Sequence, residues 1–293
     1  MNDVNRVTIT RILSAAIALP VYVFAFISDY LHSIPVLIVS MIISIISLYE
    51  FYHMCVRSND EKPFIFIGLF TGAIVNIVMY YFAYGELYQS INSQVFDARI
   101  IFAIIIFLIA TILILQLCRR PIKGGIYSLS VTVFGVMYIG FFFSHIILMK
   151  ALQDGFFYIL ILNIVVMLND TGAYFGGILL GKHKTNFAVS PNKTWEGYAS
   201  GMLISILSMI ITNEIFMAFY NKYLFTLIES VVLGIFLSIF GHMGDLVESL
   251  IKRDSVRKDS GSIIPGHGGM WDAFDALIFT FPFFYYYIVL KGV

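Results

Sequence analysis

Residues 156–182 read FFYILILNIVVMLNDTGAYFGGILLGK. The apolar run over 156–180 exceeds the roughly 20 residues an α-helix needs to cross about 30 Å of hydrocarbon. Asp170, beside Asn169, is its only charged side chain before Lys182. A charged residue inside a span points by default to function. The plainer alternative is an acid paired with a neighbouring helix for packing specificity. Gly172 with Gly176, and Gly177 with Gly181, are small-xxx-small pairs that suit close helix packing rather than chemistry.

The rest of the chain has the same character. It is 59% hydrophobic and 12% charged over 293 residues, about half the charge of a soluble domain. An all-α, polytopic membrane protein follows. Zero net charge gives no global field to attract nucleic acid, and no recognition motif for it is present. Cys55 and Cys118 make no disulfide framework. About nine spans are expected: 9–28, 34–55, 64–83, 99–117, 127–149, 156–180, 197–219, 225–247 and 273–290. Arg6 and Arg11 before the apolar run over 12–27 imitate a secretory signal. That run is long and has no small-x-small cleavage site, so a retained helix is expected, kinked at Pro20. Aromatic clusters such as Tyr80-Tyr81-Phe82 and Tyr285-Tyr286-Tyr287 suit interfacial belts. Residues 1–150 read as scaffold helices with almost no charge, Glu50 near the end of the second span being an exception. Residues 151–293 read as the catalytic membrane region, the two parts forming one integral unit.

Fourteen of the eighteen Lys and Arg fall on the N-terminus and every second loop after it. Only Arg99, Lys150, Lys222 and Lys291 fall opposite. The positive-inside rule then places the N-terminus in the cytoplasm and the C-terminus outside. Both cysteines come at cytoplasmic helix ends, where thiols stay reduced.

Two cytoplasmic loops carry candidate chemistry. The first is Ser190-Pro191-Asn192-Lys193-Thr194-Trp195-Glu196-Gly197. It has hydroxyls, a lysine and a helix start whose free amides favour anions; a plain helix N-cap is the equal alternative. The second runs from Gly244 to Asp275 and holds six acids (Asp245, Glu248, Asp254, Asp259, Asp272 and Asp275) and four cations (Lys252, Arg253, Arg257 and Lys258). Asp245 and Glu248 are three apart, as are Asp272 and Asp275, so each pair shares a helix face. Hard oxygen ligands of this kind suit Mg²⁺, which leaves the remaining positions to water and substrate phosphates. Gly266, Gly268 and Gly269 between the pairs permit close backbone approach to a ligand. The basic run alone is also a positive-inside signal, and the glycine turn alone is ordinary loop chemistry. Bracketed by the two acid pairs, they favour a phosphate-and-metal site.

The sequence Ser249-x-x-Lys252-Arg253, Lys258-Asp259, Pro265-Gly266-His267-Gly268-Gly269 and Asp272-x-x-Asp275 closely resembles the signature of the phosphatidate cytidylyltransferases, or CDP-diacylglycerol synthases. The loop at 190–197 and the Asn169-Asp170 pair look like further motifs of that family. The resemblance is specific over about 165–280 and rests on hydropathy alone over 1–150. It implies transfer of a cytidylyl group from CTP to phosphatidic acid, giving CDP-diacylglycerol and pyrophosphate for phospholipid biosynthesis. It implies Asp245, Asp272 and Asp275 as metal ligands for Mg²⁺, with a second cation compatible. Lys193, Lys252, Arg253, Lys258 and His267 are the implied catalytic set. Asn169, Asp170, Ser190, Thr194, Glu196, Gly268 and Gly269 are implied to bind substrate. The implied setting is the inner (cytoplasmic) membrane, multi-pass, with the site facing the cytoplasm; a homodimer is a compatible assembly. One residue departs from the signature: Ala273 stands where the family has Arg, and weakened activity is the expectation. A cation-coupled transporter using Asp170 and the C-terminal acids, and a CTP-dependent lipid kinase, are the rival readings.

The charge bias predicts that cysteine labelling will report positions near 190 and 258 from the cytoplasmic side and the C-terminus from the other. Finding 190 and 258 on opposite sides contradicts a single cytoplasmic site.

Overall fold

The structure, a computed structural model, describes residues 20–28, 33–85, 99–264 and 268–292. Its elements are helices; among the described residues there is no strand beyond two isolated bridges, Lys184 with Thr194 and Ile264 with Gly268. Among the described residues, eight helices are long and apolar enough to cross a membrane: α1 Ile34–Met54, α2 Ile65–Tyr84, α3 Arg99–Arg119, α4 Gly125–Ala151, α5 Gly155–Leu180, α6 Trp195–Tyr220, α7 Leu227–Asp254 and α8 Met270–Lys291. They correspond to eight of the nine expected spans. Of the first expected span, 20–27 is helical, and the rest lies outside the described residues, as does the signal-like segment. Cys55 and Cys118 are free thiols, the first buried and the second exposed.

The largest extensions past the expected ends, in α7 and α8, have local reasons. α7 continues to Asp254 because its charged end can pair along the helix, with Lys252 Nζ 2.5 Å from the Glu248 carboxylate one turn away. α8 begins at Met270 because its first amides find acceptors, as described below. α4 holds a π-helical turn at Val136–Phe141.

The described chain forms two compact units. The first comprises residues 1–153 and 254–274. Its core is aromatic: Trp271 is fully buried, edge-on to Phe51 at 5.5 Å and to Tyr138 at 6.4 Å. Tyr52 donates to the Thr132 carbonyl at 2.8 Å, joining α1 to α4. Arg120 donates to the Lys62 and Pro63 carbonyls and lies 3.7 Å above the Phe64 ring, which ties the α3–α4 turn to the start of α2.

The second unit comprises residues 154–253 and 275–293. α5 and α6 approach closely along a glycine seam. A side chain at Gly172 would meet Ile204 at 2.8 Å, and one at Gly176 would overlap Ser200. The small-xxx-small pair at Gly172 and Gly176 is therefore a packing device. α6 is capped by Thr194, whose hydroxyl accepts from the Gly197 amide at 3.1 Å. α7 starts with a reciprocal capping box: Thr226 N donates to Glu229 at 2.7 Å, and Glu229 N donates to the Thr226 hydroxyl at 3.2 Å. α7 and α8 are joined by Phe240 stacked on Phe283, with ring centroids 4.0 Å apart.

Gly176→Val forces a branched side chain into Ser200. Overpacking of this kind destabilises by about 1–3 kcal/mol. Thermal unfolding in detergent should show a lower Tm, and an unchanged Tm would refute the close α5–α6 seam.

Candidate active site

The polar centre of the second unit is built on α7 and α8. Gly244 lets these helices touch backbone to backbone: a Cβ there would lie 2.7 Å from the Asp275 carbonyl oxygen and 3.0 Å from the Ala276 Cα. That approach brings Asp245 and Glu248 on α7 to Asp275 on α8. The three offer carboxylate oxygens all within 4.8 Å of one another. Glu248 is 1% exposed.

Three carboxylates at such range repel unless cations lie among them. Two lysines supply part of the compensation. Lys193 Nζ pairs with Asp245, and Lys252 Nζ pairs with Glu248. The Ser249 hydroxyl is 3.4 Å from Asp245, and Asp275 accepts from the Ala276 amide at 2.6 Å. Burial alone would lower the Lys193 pKa, but the Asp245 carboxylate outweighs it and the ammonium is held above the usual lysine value. Hard oxygen donors at this spacing fit a divalent cation such as Mg²⁺.

Lys193 reaches Asp245 because its loop is closed at the base. Thr185 N donates to the Lys193 carbonyl at 2.9 Å, and Trp195 N donates to the His183 carbonyl at 3.0 Å. Glu196 accepts from the His183 amide at 3.1 Å and contacts its ring at 2.5 Å. Ser190 forms the turn, accepting from the Lys193 amide at 3.4 Å. Thr194 is the helix cap. In this structure Glu196 and Thr194 hold the loop that carries Lys193.

Asn169 is fully buried, and its amide nitrogen donates to Asp170 at 3.2 Å. It is lodged between Gly201 of α6 and Gly241 of α7, where a Cβ would lie 3.1 Å from its Oδ1 and 3.8 Å from its Nδ2. Tyr198 and His242 complete the surroundings: their rings are 4.5 Å apart, and Lys193 Nζ is 5.5 Å from the Tyr198 ring centre. Neither aromatic was singled out from sequence, since a lone Tyr or His in an apolar run reads as core. Arg253 is exposed at the end of α7.

The remaining expected residues belong to the first unit. Asp272 lies in the first turn of α8 and accepts from the Gly269 amide at 2.7 Å and the Ser260 amide at 2.9 Å. The resemblance groups it with the metal ligands; within the first unit its carboxylate caps the start of α8. Gly268 has φ of +101°, a conformation that favours glycine. Gly269 is buried. Lys258 is exposed, and so is Ala273. His267 lies outside the described residues.

The described arrangement is an acid cluster with lysines at the ends of apolar helices, one lysine coming from a loop pinned at a helix start. A family model, the cytidylyltransferase family, matches residues 9–291. The chain belongs to this family. Among curated relatives, a phosphatidate cytidylyltransferase from Staphylococcus haemolyticus is 32% identical over 275 residues, spanning 94% of this chain and 95% of the relative. One from Bacillus subtilis is 38% identical over 191 residues, 65% of this chain and 67% of the relative. One from Staphylococcus saprophyticus is 44% identical over 147 residues, 50% of this chain and 54% of the relative. The transporter and lipid-kinase readings gain no support from these matches.

Lys193→Met removes the partner of Asp245 and should lower Tm by a few degrees, on the scale of about 1 kcal/mol for a partly exposed ion pair. The lysine pKa is raised on folding, so its contribution is complete below the ordinary value of about 10.4 and is lost as pH rises through the folded value. The Tm gap between parent and variant should therefore hold from neutral pH to about pH 9 and close above about pH 10.5. A gap that widens at alkaline pH contradicts the pair.

Proposed function

We propose that this chain joins CTP to phosphatidic acid, forming CDP-diacylglycerol and releasing pyrophosphate. The observation that carries the reading is the Asp245–Glu248–Asp275 cluster, with Lys193 and Lys252 on its carboxylates, in a member of the cytidylyltransferase family. Both substrates are anions, so their approach requires neutralised charge. A phosphate oxygen of the lipid attacks the α-phosphorus of CTP. The new P–O bond forms as the bond to the β-phosphate oxygen breaks, and pyrophosphate leaves. The lipid phosphate is itself the nucleophile, so no Ser or Cys is needed. Such transfers are mainly positioning plus electrostatic stabilisation.

Asp245, Glu248 and Asp275 are the proposed holders of Mg²⁺, which when bound would neutralise phosphate charge. Asp272 keeps lone pairs beyond those that meet two amides, and we retain it as a candidate ligand. Lys193, Lys252, Arg253 and Lys258 are proposed to hold phosphate oxygens, with His267, Ser190, Gly268 and Gly269 shaping the phosphate-binding loops. Asn169 and Asp170 are proposed to bind substrate, with Thr194 and Glu196 fixing the loop that presents Lys193. The acyl tails of phosphatidic acid account for a catalyst built of apolar helices. The proposed setting is a bacterial inner membrane with the chemistry on the cytoplasmic side. A homodimer is compatible with this reading, but nothing in it requires one.

Purified protein given labelled CTP, phosphatidic acid and Mg²⁺ should yield labelled CDP-diacylglycerol, and Asp245→Asn or Asp275→Asn should cut turnover by about 10²-fold or more. Near-normal activity in both variants removes the carboxylate assignment. Ala273 offers no guanidinium where the family signature has one, so Ala273→Arg should raise turnover by about tenfold, equivalent to about 1.4 kcal/mol of barrier. A parent that is already fast, with no gain from Arg, makes Ala273 a neutral departure.

A further inference from the structure

Glu50 is the most unusual residue of the first unit. It belongs to the last turns of α1, in a scaffold almost without charge, and is 3% exposed. Its carboxylate meets two backbone amides and a hydroxyl. Oε1 accepts from the Met270 amide at 3.0 Å. Oε2 accepts from the Trp271 amide at 3.0 Å and from the Ser260 hydroxyl at 3.2 Å. Met270 and Trp271 are the first two residues of α8, whose amides have no acceptor within the helix. The amide before them, Gly269 N, goes to Asp272.

Ser260 joins the two carboxylates. Its hydroxyl donates to Glu50 and its amide donates to Asp272. The signature loop therefore leaves at Ser260 and returns at Gly269, and two acids clamp its neck. Lys258 and Asp259 stand immediately before that neck. The neck also explains two glycines. A side chain at Gly269 would strike Ser260 and come 2.8 Å from the Glu50 carboxyl carbon, and one at Gly261 would come within the same 2.8 Å. Gly261 and Gly269 are thus fitted to Glu50.

We propose that Glu50 is a positioning residue for the reaction: it fixes the neck of the 260–269 loop, and through Ser260 it orients Asp272 and the Lys258–Asp259 step. The inference rests on the reading that Asp272 and Lys258 act in the reaction. It goes beyond that reading by giving a scaffold helix a catalytic consequence.

Glu50→Gln tests it. The shape is kept, but an amide nitrogen now faces backbone donors. Steady-state turnover is measured at equal amounts of monodisperse protein, together with the rate of maleimide labelling at Ser262→Cys in a Cys118→Ser background. We expect kcat to fall about 10–100-fold, the range typical of lost supporting contacts, with KM for CTP and phosphatidic acid within about threefold of the parent. Labelling at position 262 should be faster, and adding Ser260→Ala to Glu50→Gln should lower kcat little further. Unchanged labelling, or kcat within about twofold of the parent, overturns the proposal. If Glu50→Gln does not fold, Gly261→Ala displaces the same carboxylate and is judged by the same two readouts. Asp272→Asn is assayed in parallel: if it is fully active, the role given to Asp272 fails, while the labelling result still reports on the loop.

Discussion

A carboxylate placed among apolar helices is tolerated only when its lone pairs are met. This constraint bears on four of the acids described above. Asp245 is met by Lys193 and Glu248 by Lys252. Glu50 and Asp272 are met by backbone amides at the start of α8, where the helix dipole also favours negative charge. The two solutions have different consequences. A lysine-paired carboxylate can take a metal ion while its lysine turns to a phosphate. Amide-paired carboxylates hold a backbone still, and Asp272 keeps lone pairs beyond those that meet its two amides.

That difference separates the two units. The second presents carboxylates paired to lysines, a set suited to a cation and anionic groups. The first presents a loop whose neck is closed by Glu50 and Asp272. Packing follows from these demands. Gly244 is needed so that α7 and α8 come close enough to bring Asp275 to Asp245 and Glu248. Gly261 and Gly269 are needed so that a buried glutamate fits against the loop.

The fold was legible in the sequence because apolar length is a strong signal. Eight spans stand where hydropathy put them, and the extension of α7 to Asp254 was hidden only because charged residues continue a helix without continuing an apolar run. The acid pairs were legible by spacing, since Asp245 and Glu248 do share a face. That Asp272 also caps the start of α8 was not, because capping is set by where the chain turns at Gly269. Glu50 was visible as a lone acid in an apolar helix, but its partners are more than 200 positions away, and no local pattern encodes them. Tyr198 and His242 carried no signal that distinguishes them from core.

The central claim is that Asp245, Glu248 and Asp275 together hold the cation that serves the reaction. Anomalous diffraction from crystals soaked in Mn²⁺ with a non-hydrolysable CTP analogue tests it directly. The account predicts a peak about 2.0–2.4 Å from oxygens of these three carboxylates, within the range for hard-cation ligands. A peak elsewhere, with these carboxylates still paired only to Lys193 and Lys252, contradicts it.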